Sequence, residues 1–183
     1  FSRSVNLFAC VSVYKANTYS KSWGIHVDDR QFTQLALGCQ RKLYRVALSM
    51  LRCDADAADA IQEAVFKGWI YRSTLRDGER FEAWLTRILV NECRNIQRRW
   101  KKRGEPLDES RAALEEAPPD PGLRDALMAL PERLRLPLVL HYLEGYSLRE
   151  ISSILKIPQT TVKSRLHQAR GALRRELSTE VEL

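Results

Sequence analysis

The chain has 183 residues, a length that suits one ordinary domain or two small ones. Its hydrophobic content of 44% is enough to build packed cores, which argues against a disordered tail. The net charge of +7 and a pI near 9.4 favour a polyanionic partner, with nucleic acid ahead of a membrane surface. No run approaches the roughly twenty apolar residues that a membrane span needs, which weakens the membrane interpretation.

The cysteines are widely spaced and form no C-x-x-C pair. They stand at Cys10, Cys39, Cys53 and Cys93, and the histidines are His26, His141 and His167. Structural zinc sites usually combine closely spaced pairs of such residues, so no metal and no cofactor is expected. Isolated cysteines on apolar helix faces are typical core residues of proteins in a reducing cytoplasm.

Residues 1–26 differ in character from everything after them. They carry three basic residues and no acid, lack helical periodicity and do not follow the order of a secretory signal. Two interpretations stay open. Trp23-Gly24 must be encoded by a G-rich run shortly before Val27, which resembles a ribosome-binding site read through ahead of a start at Val27. Alternatively, the segment is a mobile extension or an added remnant, and neither interpretation gives it a function.

From Asp29 onward the apolar residues recur at spacings of three and four, with no alternating strand pattern, which predicts an all-α protein. The first helix is predicted around the apolar positions Phe32, Leu35, Cys39, Leu43, Val46, Ala47 and Met50. The second is predicted from about Asp54 to Tyr71, with Asp54 as N-cap and an apolar stripe of Ala58, Ile61, Val65 and Trp69. After a polar loop at 73–80, the third begins near Phe81 and continues past Ile96.

The third helix ends in a basic run. Its members are Arg94, Arg98, Arg99, Lys101, Lys102 and Arg103. Cations favour helix C-termini, so a solvated helix end is one interpretation. Because six positive charges exceed what the helix dipole needs, contact with a phosphate backbone is the favoured one.

Residues 104–122 become acidic and rich in proline, which predicts a linker between two helical modules. Its acids are Glu105, Asp108, Glu109, Glu115, Glu116 and Asp120. They suit either a solubilising linker or an imitation of nucleic acid in a basic channel, and the sequence does not decide between the two.

The second module is predicted to hold short helices at 123–130 and 131–143, the latter bent or restarted at Pro137. Ser147 and Glu150 form a capping-box pattern ahead of the next helix. After a brief turn, a last helix is predicted at 159–177, with Val162, Leu166, Ala169 and Leu173 facing inward.

The outward face of this last helix carries the types of side chain that reach base edges and phosphates. They are Thr160, Thr161, Lys163, Ser164, Arg165, His167, Gln168 and Arg170. Two helices joined by a short turn, with a polar face on the second, predict a helix-turn-helix that reads duplex DNA. An ordinary helical hairpin is the alternative.

Together the two modules resemble the bacterial RNA polymerase sigma-70 family, specifically its small extracytoplasmic-function group. The segment EGYSLREISSILKIPQTTVKSRLHQAR is similar to region 4 of that family, whereas DADAADAIQEAVFKGW and FEAWLTRILVNECRN are similar to region 2. The resemblance implies an extension at 1–26, region 2 at 27–103, a linker at 104–122 and region 4 at 123–183.

The resemblance also implies roles for individual residues. Docking on the beta-prime clamp helices of core polymerase falls to Asp56, Asp59, Gln62 and Glu63, steered by complementary charge. Contact with the minus-ten promoter element falls to Arg76, Arg80, Arg87, Asn91, Arg94, Asn95 and Arg98. The minus-thirty-five element is read by Lys163, Ser164, His167 and Gln168, with Arg165 and Arg170 on phosphates. Trp84 is expected in the core rather than as a stacking platform.

The function implied is that of a sigma factor, which binds core polymerase through the clamp helices and the beta flap, recognises promoters and assists strand opening. The expected protein is cytoplasmic, is restrained by an anti-sigma factor at times held at the membrane, and has no small-molecule substrate. No nucleophile–base arrangement is visible, so no enzymatic activity is expected. One alternative is a helix-turn-helix regulator that acts without polymerase. Another is a metal-dependent helical nuclease built on Asp54, Asp56 and Asp59.

Overall fold

The structure, a computed structural model, describes residues 28–75, 80–104 and 121–180, and every regular element within these ranges is helical, as predicted. The predicted extension and most of the predicted linker lie outside the described residues. The first module contains α1 (Asp29–Leu51), α2 (Asp54–Tyr71), a 3₁₀ turn (Arg72–Thr74) and α3 (Phe81–Arg103). The second contains α4 (Pro121–Ala129), α5 (Glu132–Leu138), a π-helical turn (Val139–Leu143), α6 (Leu148–Leu155) and α7 (Gln159–Glu180).

Helices α1, α2 and α3 form a three-helix bundle around a cluster of aromatic rings. Phe32 of α1 is fully buried and makes edge-on contacts with Trp69 and Phe81, each with ring centroids 5.4 Å apart. This edge-to-face geometry is the favoured packing of aromatic pairs. The apolar positions predicted for α1 are confirmed as buried, apart from Leu35, which packs at the edge of the core.

The buried face of α2 is made of small residues, which the predicted stripe described only in part. Ala57, Ala60, Ala64 and Gly68 are buried, whereas Ala58 is half-exposed. A Cβ atom on Gly68 would stand 2.8 Å from Cδ1 of Leu85, so α2 and α3 approach closely at this point. Alanine and glycine contribute little to an apolar pattern. The stripe predicted from the sequence therefore lies closer to the larger side chains than the buried face does.

The prediction of Asp54 as the N-cap of α2 was wrong. Cys53 occupies the N-cap position and makes no side-chain capping bond. Asp54 instead lies in the first turn, where its carboxylate accepts a hydrogen bond of 2.7 Å from the Tyr44 hydroxyl of α1. A tertiary partner thus replaces the local cap, while the acid still complements the helix dipole.

In the second module, Pro137 coincides with a change of helical geometry, as predicted. Helix α5 ends at Leu138 and continues as a wider π-helical turn, closed by the Glu144 amide donating to the Val139 carbonyl at 3.1 Å. Proline has no N–H to donate to the carbonyl one turn earlier, so α5 lacks one helical hydrogen bond just ahead of the widened turn. The widened turn leads into Gly145, whose φ of 75° lets the chain reverse before α6.

The predicted capping box at the start of α6 is confirmed. The Ser147 hydroxyl oxygen accepts from the Glu150 amide at 3.3 Å, and the Glu150 carboxylate accepts from the Ser147 amide at 2.9 Å. Helix α6 ends at Lys156, which adopts the left-handed conformation, and the Ser152 hydroxyl donates to the Ile157 carbonyl at 2.6 Å. These bonds fix the turn that sets α7 against α6.

The two modules are packed against each other through polar contacts that the sequence did not predict. Arg45 of α1 forms two hydrogen bonds of 2.7 and 2.8 Å with Glu144, whose side chain is fully buried. The hydroxyl groups of Thr86 on α3 and Tyr146 share a buried hydrogen bond of 2.8 Å. Apolar side chains of both modules complete one continuous core.

We expect Ser147→Ala to lower the free energy of unfolding by about 1 kcal/mol, because the Glu150 amide at the start of α6 loses the hydroxyl that caps it. Chemical denaturation followed by circular dichroism measures the change. Ser153→Ala, at an exposed position in the same helix, is the matched control and should stay within about 0.5 kcal/mol of the parent. Equal effects of the two substitutions would contradict the capping role.

Candidate nucleic-acid interface

Helix α7 is held by its inner face and presents the predicted base-reading residues on the outer one. Val162, Leu166 and Ala169 are buried against the rest of the module, which confirms three of the inward positions, while Leu173 is only half-buried. The exposed residues are Thr160, Lys163, Ser164, His167, Gln168 and Arg170, whereas Thr161 and Arg165 are half-buried. The inner residues fix the rotation of the helix about its axis, and this rotation determines which side chains face solvent.

The outer face of α7 keeps its hydrogen-bonding groups available. Gln168 donates to the Ser164 hydroxyl at 3.3 Å, one helical turn away. Among the described residues, Lys163, His167 and Arg170 have no hydrogen-bond or ion-pair partner. A helix of this kind can enter a major groove without first breaking contacts of its own.

The predicted minus-ten residues lie along one side of α3. Arg87, Asn91, Arg94 and Asn95 are half-buried, and Arg98 is exposed. Arg80 is exposed at the N-cap of α3, and Arg76 lies outside the described residues. Trp84 is half-buried and packs against the core and the Phe81 ring, with centroids 5.8 Å apart, which agrees with its predicted core role.

Two of these residues belong to a hydrogen-bonded network centred on Glu92, which the sequence did not single out. Glu92 is buried and accepts from Lys67 of α2 at 2.7 Å and from Asn95 at 3.1 Å. The Asn95 carbonyl oxygen in turn accepts from Arg98. The hydrogen bond to Glu92 raises the pKa of Lys67, so Lys67 stays protonated near neutral pH. The sequence signal that could have revealed this network is Glu92 itself, an acid at a position of α3 that is otherwise apolar.

The acids predicted to dock on polymerase share the outer face of α2. Asp59, Gln62 and Glu63 are exposed, and Asp56 is half-buried. The same face continues at helical spacing to Ile70, which is 50% exposed although it is apolar. Sequence analysis missed Ile70 because a single apolar residue at a helix end carries no periodic signal. Acids beside an exposed apolar side chain are suited to a protein partner with a basic, partly apolar surface.

Two cysteines are core residues, as predicted. Cys39 and Cys93 are fully buried, and burial raises the pKa of each thiol to about 12. Within residues 28–75, 80–104 and 121–180, no three His, Cys, Asp or Glu side chains are grouped as metal ligands would be. No helix in these ranges is long and apolar enough to cross a membrane.

We expect Cys39 and Cys93 of the folded protein to resist alkylation by iodoacetamide at pH 8, because the thiolate is the reactive form and burial disfavours it. Half-buried Cys53 provides the internal comparison and should react faster. Mass spectrometry of peptides, before and after denaturation in urea, measures each site. Rapid labelling of Cys39 or Cys93 in the folded chain would contradict the buried placement.

Comparisons with known proteins agree with this arrangement of helices. Residues 35–104 match sigma-70 region 2, and residues 122–173 match sigma-70 region 4. The chain is 32% identical to the RNA polymerase sigma factor SigV of Bacillus subtilis, over 77% of this chain and 87% of that protein. It is 31% identical to the ECF RNA polymerase sigma-E factor of Escherichia coli, over 80% of this chain and 86% of that protein.

Two solved structures share the fold. The sigma factor RpoE of Bartonella quintana, in complex with the anti-sigma factor NepR, superposes with a TM-score of 0.66 at 24% identity, over 81% of this chain and 98% of that one. CnrH, in complex with the cytosolic domain of CnrY, superposes with a TM-score of 0.61 at 22% identity, over 94% of this chain and 95% of that one. With both of its regions matched and relatives at this identity, the chain belongs to the sigma-70 family of RNA polymerase sigma factors, in its extracytoplasmic-function group.

Proposed function

We propose that this chain binds core RNA polymerase, directs it to promoters and assists strand opening at the start of transcription. The observation that carries the proposal is the outer face of α7, where polar and basic side chains are exposed above a buried apolar face. This face would hold the minus-thirty-five element in its major groove. Base contacts from Lys163, Ser164, His167 and Gln168 would supply sequence preference, and Arg165 and Arg170 would hold phosphates.

The first module would bind the polymerase and the minus-ten element on separate surfaces. The outer face of α2 offers acids for steering, which acts on the rate of encounter, and Ile70 for packing, which acts on the lifetime of the complex. The basic side of α3 would hold the separated strand through phosphate and base contacts. All of these steps use binding energy, so the proposed role includes no catalysis by the chain itself.

A regulator that binds duplex DNA without polymerase would need α7 but not the acidic face of α2. We therefore expect Asp59→Lys to lower the affinity for core polymerase by tenfold or more and to abolish promoter-specific transcripts in vitro. Asp125→Lys, which makes the same charge change at an exposed acid of α4, is the control and should leave both unchanged. Failure of the parent chain to bind core polymerase, with duplex DNA still bound, would support the regulator instead.

We expect Lys163→Ala to reduce transcription from promoters with the cognate upstream element by about tenfold, because one good base contact discriminates by about 1–3 kcal/mol. Arg174→Ala, at an exposed position about three turns further along α7, is the matched control. Run-off transcription from a panel of promoters with altered upstream elements measures the effect. Equal losses on every promoter from Lys163→Ala would contradict a base-reading role.

The packed arrangement cannot contact both promoter elements at once. Their names place them about 25 base pairs apart, which is about 85 Å of duplex at 3.4 Å per step. A folded chain of this length has a radius of gyration of about 16 Å and is about 40 Å across. The modules must therefore separate when the chain engages a promoter, and the contact between Arg45 and Glu144 must break.

We expect energy transfer between dyes on Gln34→Cys and Arg174→Cys to fall when core polymerase and promoter DNA are added. Both positions are exposed, and Cys10 and Cys53 are first replaced by serine. Glu144→Ala should lower the transfer in the free chain, because Arg45 then loses a buried partner across the modules. Unchanged transfer in the complete promoter complex would contradict the separation.

A further inference from the structure

We propose that Glu92 and Asn95 are positioning residues that hold the Arg98 guanidinium ready for a nucleic-acid phosphate. The inference rests on the proposed function of α3 and deepens it, because it changes the role of Asn95 from a direct contact to a support. The three side chains lie one after another on α3, from the buried contact with α2 out to solvent.

Glu92 is the fixed end of the series. Its side chain is 11% exposed, and its Oε2 accepts from Lys67 at 2.7 Å and from Asn95 at 3.1 Å. Lys67 also pairs with Glu63, one turn earlier on α2, at 3.1 Å. Burying a carboxylate with so little access to water is costly unless a cation and hydrogen-bond donors surround it, as they do here.

The charge of Glu92 determines which way the Asn95 amide points. With its nitrogen toward Glu92, Asn95 donates to the carboxylate and turns its oxygen toward Arg98. The reversed amide would place its oxygen against the Glu92 carboxylate and its N–H groups against the Arg98 guanidinium. Both reversed contacts are unfavourable, so hydrogen bonding at both ends selects a single orientation.

Arg98 is the exposed end of the series. Its Nη2 donates to Asn95, and its Nε donates to the Arg94 carbonyl at 3.4 Å. A guanidinium has five N–H donors, so two held donors leave three that face solvent in a fixed plane. A planar group with free donors suits a phosphate, and holding it in place beforehand removes part of the entropy cost of binding.

A double-mutant cycle tests the proposal in the holoenzyme of the full chain with core polymerase. The probe is a fluorescein-labelled, random-sequence single-stranded 20-mer, titrated at several salt concentrations. We expect Arg98→Ala to lower affinity about tenfold and to reduce the salt slope by about 0.7, the value for one phosphate on a single strand. Asn95→Ala and Glu92→Gln should each lower affinity about threefold when Arg98 is present and should have no further effect when it is absent.

Three results would overturn the proposal. Additive losses from Asn95→Ala and Arg98→Ala would mean that Asn95 contacts DNA by itself. A loss from Glu92→Gln that persists in the Arg98→Ala background would mean that Glu92 only supports the fold, and thermal unfolding of each variant reports such an effect directly. Unchanged affinity in Glu92→Gln would mean that its charge does not orient Asn95.

Lys67→Arg is the conservative control, since it keeps the cation beside Glu92 and should retain at least half of the parent affinity. Failure of the proposed function has a different signature, because the parent chain would then not bind core polymerase at all. In that case the same cycle, run on the chain alone with the same labelled DNA, still decides whether Asn95 acts through Arg98.

Discussion

The arrangement of the whole molecule depends on one buried guanidinium between the modules. Arg135 of α5 is 4% exposed and donates to the Ser49 carbonyl of α1 at 2.8 Å and to the Met128 and Leu130 carbonyls at 3.1 and 2.6 Å. Burial lowers its pKa to about 10, so it remains charged at neutral pH. The carbonyl oxygens offset the cost of removing this charge from water, and they come from both modules. The joint between the modules is thus built on a hydrogen-bonded cation rather than on apolar contact alone.

A polar joint suits two modules that separate in the proposed role. When the interface opens, Arg135, Arg45 and Glu144 can all be solvated by water, which recovers much of the energy of the contacts that break. An interface of the same size built only from apolar side chains would leave an exposed apolar patch on each module. The hydroxyl pair of Thr86 and Tyr146 is consistent with this, because both groups bind water readily once the modules part.

The sequence predicted the features that depend on periodicity and local hydrogen bonds. It did not predict the side-chain contacts between residues that are far apart in the chain. The helices, the Ser147–Glu150 capping box and the buried positions of α1 follow from spacing within one segment. The prediction that Asp54 caps α2 was wrong because its carboxylate accepts a hydrogen bond from Tyr44, on another helix. The contacts of Lys67 with Glu92 and of Arg45 with Glu144 were not predictable, because each joins residues that are far apart in the sequence. The outer face of α7 was predictable because residues within the helix itself define it.

The two proposed DNA-binding faces differ in how firmly their side chains are held, and the difference suits the DNA that each is proposed to bind. The face of α7 leaves Lys163, His167 and Arg170 without partners in the described part of the chain, so it can adapt to base edges in an intact duplex. The α3 face instead holds Arg98 through Asn95 and Glu92, which suits the capture of a flexible single strand. A strand that must itself be ordered on binding costs more entropy, so rigidity on the protein side is worth more there.

In the proposed role, the free energy that separates the modules comes from binding, because separation breaks the contacts that Arg45 and Arg135 make between them. Only the open fraction of chains can contact both promoter elements. The apparent affinity for the complete promoter complex is therefore the affinity of the open form multiplied by that fraction. The acidic face of α2 remains exposed in the packed form, since Asp59, Gln62 and Glu63 all face solvent. In the proposed role, polymerase would capture the closed chain first through this face, and the modules would open afterwards on the enzyme surface. Opening would then follow an encounter that is already specific.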